Sequence, residues 1–257
     1  MKKLLLLLLC VPLMFSCGEN NQDKKGIEEK EEGRKSWLEQ WGCKGKMKYA
    51  EYSTYYASME FGEIRKDSVI DNPVKGIDEW ILPFVKVKYN LYGDPIERNA
   101  YYKEQTPIFT QELIYANNEL NYVVLTDGTK VKAINDQRGY LIKLGELPGA
   151  FFVTDDNGYI IESIYSDEIQ KHKYDLNGNW IQCDIYDPNT TELLKRTKLS
   201  YNKNKREEAL IYDGDGNLYE RHKYGKYDKE NNFTEIIIFD SKDNPLFIID
   251  FTRKYYE

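Results

Sequence analysis

The chain holds two histidines and four cysteines in 257 residues. Two histidines leave little room for His-based catalysis or a His-rich metal centre. Two of the cysteines fall within the first 17 residues, so only Cys43 and Cys183 remain for the body. That excludes a disulfide-built scaffold. A single long apolar run exists, Leu4 to Phe15, and it is shorter than the ~20 residues a membrane-crossing helix needs. No stretch of a dozen or more residues keeps a 3.6-residue apolar period, which excludes a helical bundle. Eight prolines and 17 glycines exclude collagen-like and low-complexity classes. The 36 basic side chains are outnumbered by 43 acidic ones, giving a net charge of −7. A dedicated nucleic-acid partner is not expected of such a chain, because affinity for phosphates rests on Lys and Arg. What the chain has in quantity is aromatic residues, 14% in all, with 22 Tyr. Disordered chains are poor in these, and the length suffices to bury a core.

Residues 1–16 read as a signal peptide: Lys2 and Lys3, then the short apolar run. The run ends Leu13-Met14-Phe15-Ser16-Cys17-Gly18, which resembles the lipobox of bacterial lipoproteins. There a small residue precedes the cysteine whose sulfur is acylated. Met14 stands where Leu is usual, and Phe15 is larger than usual. Cys10 fits less well, since Leu9 before it is not small. The resemblance implies lipid attachment at Cys17, the membrane as a partner, and a place in the bacterial cell envelope at the outer membrane. After Cys17 come Lys24, Lys25, Glu28 to Glu32, Arg34 and Lys35 with almost nothing apolar. Residues 17–35 therefore read as lipid attachment plus a flexible charged tether.

Residues 36–257 read as one antiparallel β domain. Short runs rich in Tyr, Val, Ile and Phe alternate with Asp, Asn and Gly clusters. One short helix is expected over Lys35 to Trp41, where Trp37, Leu38 and Trp41 share a face. An aromatic followed by Asp or Asn recurs: Tyr174-Asp175, Tyr186-Asp187, Tyr201-Asn202, Tyr212-Asp213, Tyr227-Asp228 and Phe239-Asp240. The intervals, 11 to 15 residues, leave room for one strand and one turn. Asn177-Gly178 and Asp215-Gly216 are strong turn signals, because glycine supplies a positive φ. Weaker copies stand at Asp155 to Tyr159, Asp136 to Tyr140 and Tyr89 to Asp94.

Tyr174-Asp175-Leu176-Asn177-Gly178-Asn179 and Tyr212-Asp213-Gly214-Asp215-Gly216-Asn217 resemble the YD-repeat, or Rhs-like, family. The resemblance is clear over about residues 150–257. It implies an all-β fold, an antiparallel meander of YD-like hairpin repeats forming a curved or partly closed sheet. Family members with many repeats wrap a shell around a toxin; this chain has far too few. It looks more like short YD-like envelope lipoproteins of Bacteroidetes. An irregular loop is expected over 66–85, where Asp71-Asn72-Pro73 and Gly76 break the pattern.

The chemical candidates are sparse. Cys183 shares alternation with Ile181 and Ile185, which reads as a core thiol; Trp180, Gln182, Asp184 and Tyr186 then face the other way. A Cys43–Cys183 disulfide is permitted by export but not implied. His172 and His222 sit in matching His-Lys-Tyr contexts, which repetition explains. Asp213-Gly214-Asp215-Gly216-Asn217 imitates the start of a calcium loop, but Leu218 and Tyr224 stand where its later Gly and Glu belong. Lys195, Arg196, Lys198, Lys203, Lys205 and Arg206 form a basic stretch that reads as strand-edge protection. Asp67-Ser68-Val69 resembles a short O-glycosylation motif of exported Bacteroidetes proteins.

No catalytic set, cofactor or metal site emerges, and an enzyme is the less favoured class. The leading reading is an envelope-anchored, non-catalytic module that binds a protein or glycan. Trp180, Tyr186, Tyr212 and Tyr224 would offer a stacking surface, or else fill the core. A carboxylate-based hydrolase and an immunity or inhibitor lipoprotein remain as alternatives.

Overall fold

Four of the six aromatic–Asp or aromatic–Asn steps become turns of one design, while Asp187 opens a wider turn and Asn202 a two-residue hairpin. In the computed structural model, which describes residues 35–40, 43–75, 80–102, 107–145 and 150–257, Asp175 shows the pattern. Its N–H donates to the Asn179 carbonyl (2.9 Å), and its carbonyl accepts the Gly178 N–H (3.0 Å). Its Oδ1 accepts the N–H groups of Asn177 and Asn179, and its Oδ2 accepts the Asn179 amide. The same backbone ring recurs at Asn90, Asp136, Asp155, Asp213, Asp228 and Asp240. The fourth residue is left-handed each time: Gly93, Gly139, Gly158, Gly178 and Gly216, then Asn231 and Asp243. Gly178 and Gly216, at φ +80° and +87°, meet expectation.

These turns link the strands β1 (Met47–Glu60), β2 (Glu63–Val69), β3 (Val74–Lys75), β4 (Trp80–Ile81), β5 (Phe84–Tyr89), β6 (Pro95–Tyr101), β7 (Pro107–Ala116), β8 (Glu119–Leu125), β9 (Lys130–Asn135), β10 (Leu141–Leu144), β11 (Phe151–Thr154), β12 (Ile160–Ile164), β13 (Ile169–Tyr174), β14 (Trp180–Tyr186), β15 (Leu193–Asn202), β16 (Lys205–Asp213), β17 (Leu218–Tyr227), β18 (Phe233–Asp240) and β19 (Pro245–Tyr255). From β5 to β19 each strand pairs antiparallel with the next. The expected meander is therefore present, but in place of the expected curved or partly closed sheet it closes completely. β1 pairs with β19 over Met47 to Tyr56 and, on its other edge, with β5 over Tyr49 to Ser53. The ring closes as a 16-strand barrel, which leaves no free edge in the ring. Over its described residues the segment 66–85 is likewise more regular than the loop expected there. It forms β2 and the β3–β4 hairpin, and it buries Ile70 and Leu82. Thr54 holds it: its N–H donates to the Pro83 carbonyl, its hydroxyl to the Leu82 carbonyl, and its own carbonyl accepts the Ile70 N–H.

Most of these turns are followed by a β-bulge. Tyr174 pairs with Trp180 while Lys173 pairs with Gln182, so Ile181 is an extra residue. Trp180 thereby joins the face of Cys183, against the simple alternation expected of this strand. Ile96, Ile142, Ile161, Tyr219 and Leu246 are the corresponding extra residues elsewhere. This accounts for several exposed large apolar side chains, Ile96, Ile142, Ile161 and Tyr219 among them.

The inward face is apolar and packed. Thr54, Ala100, Gln111, Val123 and Ala209 are fully inaccessible, which a water-filled lumen would not allow. Burying each larger apolar side chain is worth ~1.5–3 kcal/mol. Arg206 and Arg253 are also buried inside, against aromatic rings. The Arg206 guanidinium lies 5.6 Å from the Trp180 ring and 5.2 Å from that of Tyr224. The outward face carries cross-strand ion pairs, Lys88–Glu97, Arg196–Asp184 and Arg221–Glu208 among them. A lipid-facing barrel needs an apolar band there, so this barrel has the opposite polarity.

The helix α1 (Trp37–Gln40) covers one end of the barrel, called here the near end. Ser36 and Glu39 cap it reciprocally: the Ser36 N–H donates to Glu39 Oε2 and the Glu39 N–H to Ser36 Oγ. Trp37 donates from its backbone to Asp94 Oδ1, and Leu38 to the Gly93 carbonyl. Trp37 and Leu38 are buried as expected; Trp41 lies outside the described residues.

Candidate functional site

The signal peptide, Cys17 and the proposed tether as far as residue 34 lie outside the described residues, and Lys35, the last tether residue, is held against the body. The position at which the body takes up the chain is described. Lys35 meets the near end, its N–H donating to the Tyr140 hydroxyl and its ammonium 3.5 Å from the centre of the Tyr159 ring. Between α1 and strands β8 to β12, a cavity of about 20 Å³ lies against Trp37, Asn135, Tyr140 and Phe152. It has room for about one water molecule.

The aromatics named as a stacking surface do not form one. Trp180 and Tyr224 are buried inside the barrel, and Tyr186 and Tyr212 point outward, half-buried. Lysine ammonium groups lie near both outward rings, Lys171 at 5.5 Å from Tyr186 and Lys198 at 5.5 Å from Tyr212. The histidines are four strands apart in the ring, on β13 and β17, and do not pair. His172 is buried beside Ser163 Oγ (3.4 Å), and burial pulls its pKa down to about 4. His222 Nε2 lies 3.3 Å from Glu220 Oε2. Burial also pulls Lys195 down to about 8, against the pull of Glu220. No group of three His, Cys, Asp or Glu side chains that could hold a metal occurs among the described residues.

Cys43 and Cys183 are not joined in a disulfide, and Cys183 is buried as expected. Asp213 does not reach outward for a cation. Its carboxylate accepts the Asn217 side-chain amide and N–H, which lower its pKa. The basic stretch does not protect an edge, because the ring has none. Arg196 pairs with Asp184 at 2.6 Å, Lys195 points inward and Arg206 is buried. Ser68 is exposed on β2.

The feature that the sequence reading missed is a row of outward, mostly apolar side chains that starts on β9 beside the near-end turn and follows the far end from β11 to β15. Register pairs join Ile134, Lys143, Phe151, Ile164, Ile169, Tyr186 and Leu193 across β9 to β15. Ile134 is 47% exposed and Phe151 38%, and Val153 beside them is 42% exposed. In sequence Phe151 and Ile164 look like core, since each adjoins other apolar residues. Only the register, shifted by the bulges, turns them outward.

No family model and no curated protein sequence matches the chain. Among solved structures, the chain is similar to a TcdB2–TccC3–Cdc42 assembly at 11% identity and a TM-score of 0.34, over 64% of this chain. It spans 12% of the length of that chain. It is similar to a porin-like protein from Bacteroides uniformis at 8% identity and TM-score 0.38, covering 82% of this chain and 99% of the other. A LolA superfamily protein from Nitrosomonas europaea follows at 8% and 0.29, covering 82% and 87%. These are remote likenesses, and the functional reading rests on the geometry.

Proposed function

We propose that the chain is an envelope lipoprotein, anchored through Cys17, whose closed barrel is a non-catalytic module for binding a protein partner. The observation that carries the reading is the outward apolar row from Ile134 to Leu193. The packed interior leaves no room for a sizeable ligand, so binding falls to the outer surface. An apolar strip, broken at Lys143, on an exterior that also carries ion pairs is the kind of surface that partners cover. From Phe151 to Leu193 the strip lies at the far end, whereas the chain enters the body at the near end through Lys35. A protein tethered by its N-terminus would thus present the strip away from the anchor. The recurring Asp-centred turns support kinship with YD-repeat proteins, for which a structural rather than catalytic use of the repeat is the natural reading.

Two measurements test this. Cys17→Ala should move the protein out of the membrane fraction or leave an uncleaved precursor; an unmodified N-terminus elsewhere, found by mass spectrometry, would end the anchor claim. A photo-crosslinker at Phe151 should give a discrete protein adduct, lost in Ile134→Lys/Ile164→Lys, with thermal stability of that variant near wild type. Adducts that ignore the charge changes would remove the strip from the reading.

A further inference from the structure

The β1–β2 hairpin reaches past the barrel rim. The last pair of β1 with β19 is Tyr56 with Phe247, while β1 continues to Glu60 paired only with β2. Four further residues give an arm of ~13 Å at strand rise. The tip is Met59-Glu60-Phe61-Gly62-Glu63. Phe61 is 99% exposed and sits at φ +52°, followed by Gly62 at +82°. A two-residue turn with both residues left-handed favours Asn or Asp at the first position. A bulky aromatic there is strained and, fully exposed, gains nothing from packing. Met59 is 52% exposed next to it.

A second strain lies beside the first. Glu60 and Glu63 are register partners, so two carboxylates stand directly opposite one another; like charges in that position repel. Arg65 Nη1 reaches Glu60 at 2.9 Å, with both side chains about half exposed. Glu63 is exposed and has no ion pair recorded among the described residues. Burial of Phe61 in an apolar pocket would offset the first cost, and cations facing the two carboxylates would remove the second.

We propose that the β1–β2 arm is a docking finger that inserts Phe61 into an apolar pocket of a protein partner whose rim is basic. The acidic flanks favour this occupant over a bilayer, since tips that enter membranes carry basic flanks facing the phosphates. The arm projects at the far end, the end that also carries the row from Phe151 to Leu193. The inference rests on residues distinct from that row, so either can fail alone.

The test uses the full-length protein in its own envelope, with benzoylphenylalanine replacing Phe61 and, as control, Leu176, which is fully exposed at the near end. Position 61 should yield one dominant protein adduct whose linked peptide maps to an apolar site bordered by Lys or Arg. Glu60→Lys/Glu63→Lys should cut that adduct about tenfold, the ratio that a modest loss of charge attraction produces. In purified protein, Phe61→Asn should raise Tm by a few degrees, because Asn tolerates the left-handed turn. Adducts equal to those at Leu176, adducts unaffected by the charge reversal, or a lower Tm for Phe61→Asn would overturn the proposal. So would light-induced coupling at position 61 to vesicles of phosphatidylethanolamine and phosphatidylglycerol, which would make the tip a membrane contact.

Discussion

The hydroxyl of Tyr159 occupies the space that a Cβ on Gly178 would need. The same relation holds one turn earlier, between Tyr140 and Gly158. Successive near-end turns are therefore stacked: the Tyr that closes one turn lies on the Gly of the next. Tyr159 is in turn stacked on Tyr174, with ring centres 4.7 Å apart.

This stacking separates two roles of glycine. Gly216 has φ +87° and open space where a Cβ would stand, whereas Gly178 has φ +80° and Tyr159 in that space. Gly216→Ala should cost about 1 kcal/mol for the left-handed backbone alone. Gly178→Ala should cost about 2 kcal/mol or more, because Tyr159 must also move. Urea unfolding of both variants checks the order; equal losses would show that Tyr159 yields freely.

Acid should weaken the turns. Asp213 and Asp240 have lowered pKa values, chiefly through the Asn217 and Asn244 side-chain amides and then the backbone N–H groups of the same residues. A carboxylate with a lowered folded-state pKa contributes stability above its unfolded value, near 3.9. That contribution is lost as pH falls through the lower folded value. Asp213→Asn/Asp240→Asn keeps the Oδ1 acceptor and removes the titration. The variant should show a shallower loss of stability below pH 4 than wild type, measured by thermal melts.

His172 adds a second pH window. Its folded pKa is about 4 because burial disfavours the cation, against an ordinary value near 6.5. The unfolded state therefore binds the proton first. Stability is complete above about pH 6.5 and declines towards pH 4, by up to ~1.4 kcal/mol per pH unit. His172→Gln should remove the slope between those limits in urea midpoints taken at each pH.

Arg206 is 1% exposed, with Nε and Nη2 each 3.3 Å from the Tyr201 hydroxyl and three aromatic rings around the guanidinium. Arg206→Ala should cost about 3 kcal/mol, from the cavity and the lost ring contacts. Arg206→Lys should recover only part, since an ammonium lacks the planar fork that lies on the rings. Chemical denaturation of the three proteins measures the series.

What the amino-acid order determined by itself is local. The turns at Asp175, Asp213, Asp228 and Asp240 fall where the aromatic–Asp steps place them, because an Asp side chain closes its own turn within four residues. The antiparallel neighbour-to-neighbour order follows from those turns. Tertiary structure decided three things that no short window contains. Closure depends on β1 meeting β19 and β5 at once, a pairing of Met47 with Tyr255 across nearly the whole body. The facing of Trp180 depends on Ile181 being the extra residue, and a one-residue shift reverses every side chain beyond it. The exposure of Ile134 and Phe151, and the burial of Arg206, depend on which side of the sheet became the inside. That choice is made when the ring closes, since only then does one face lose its water.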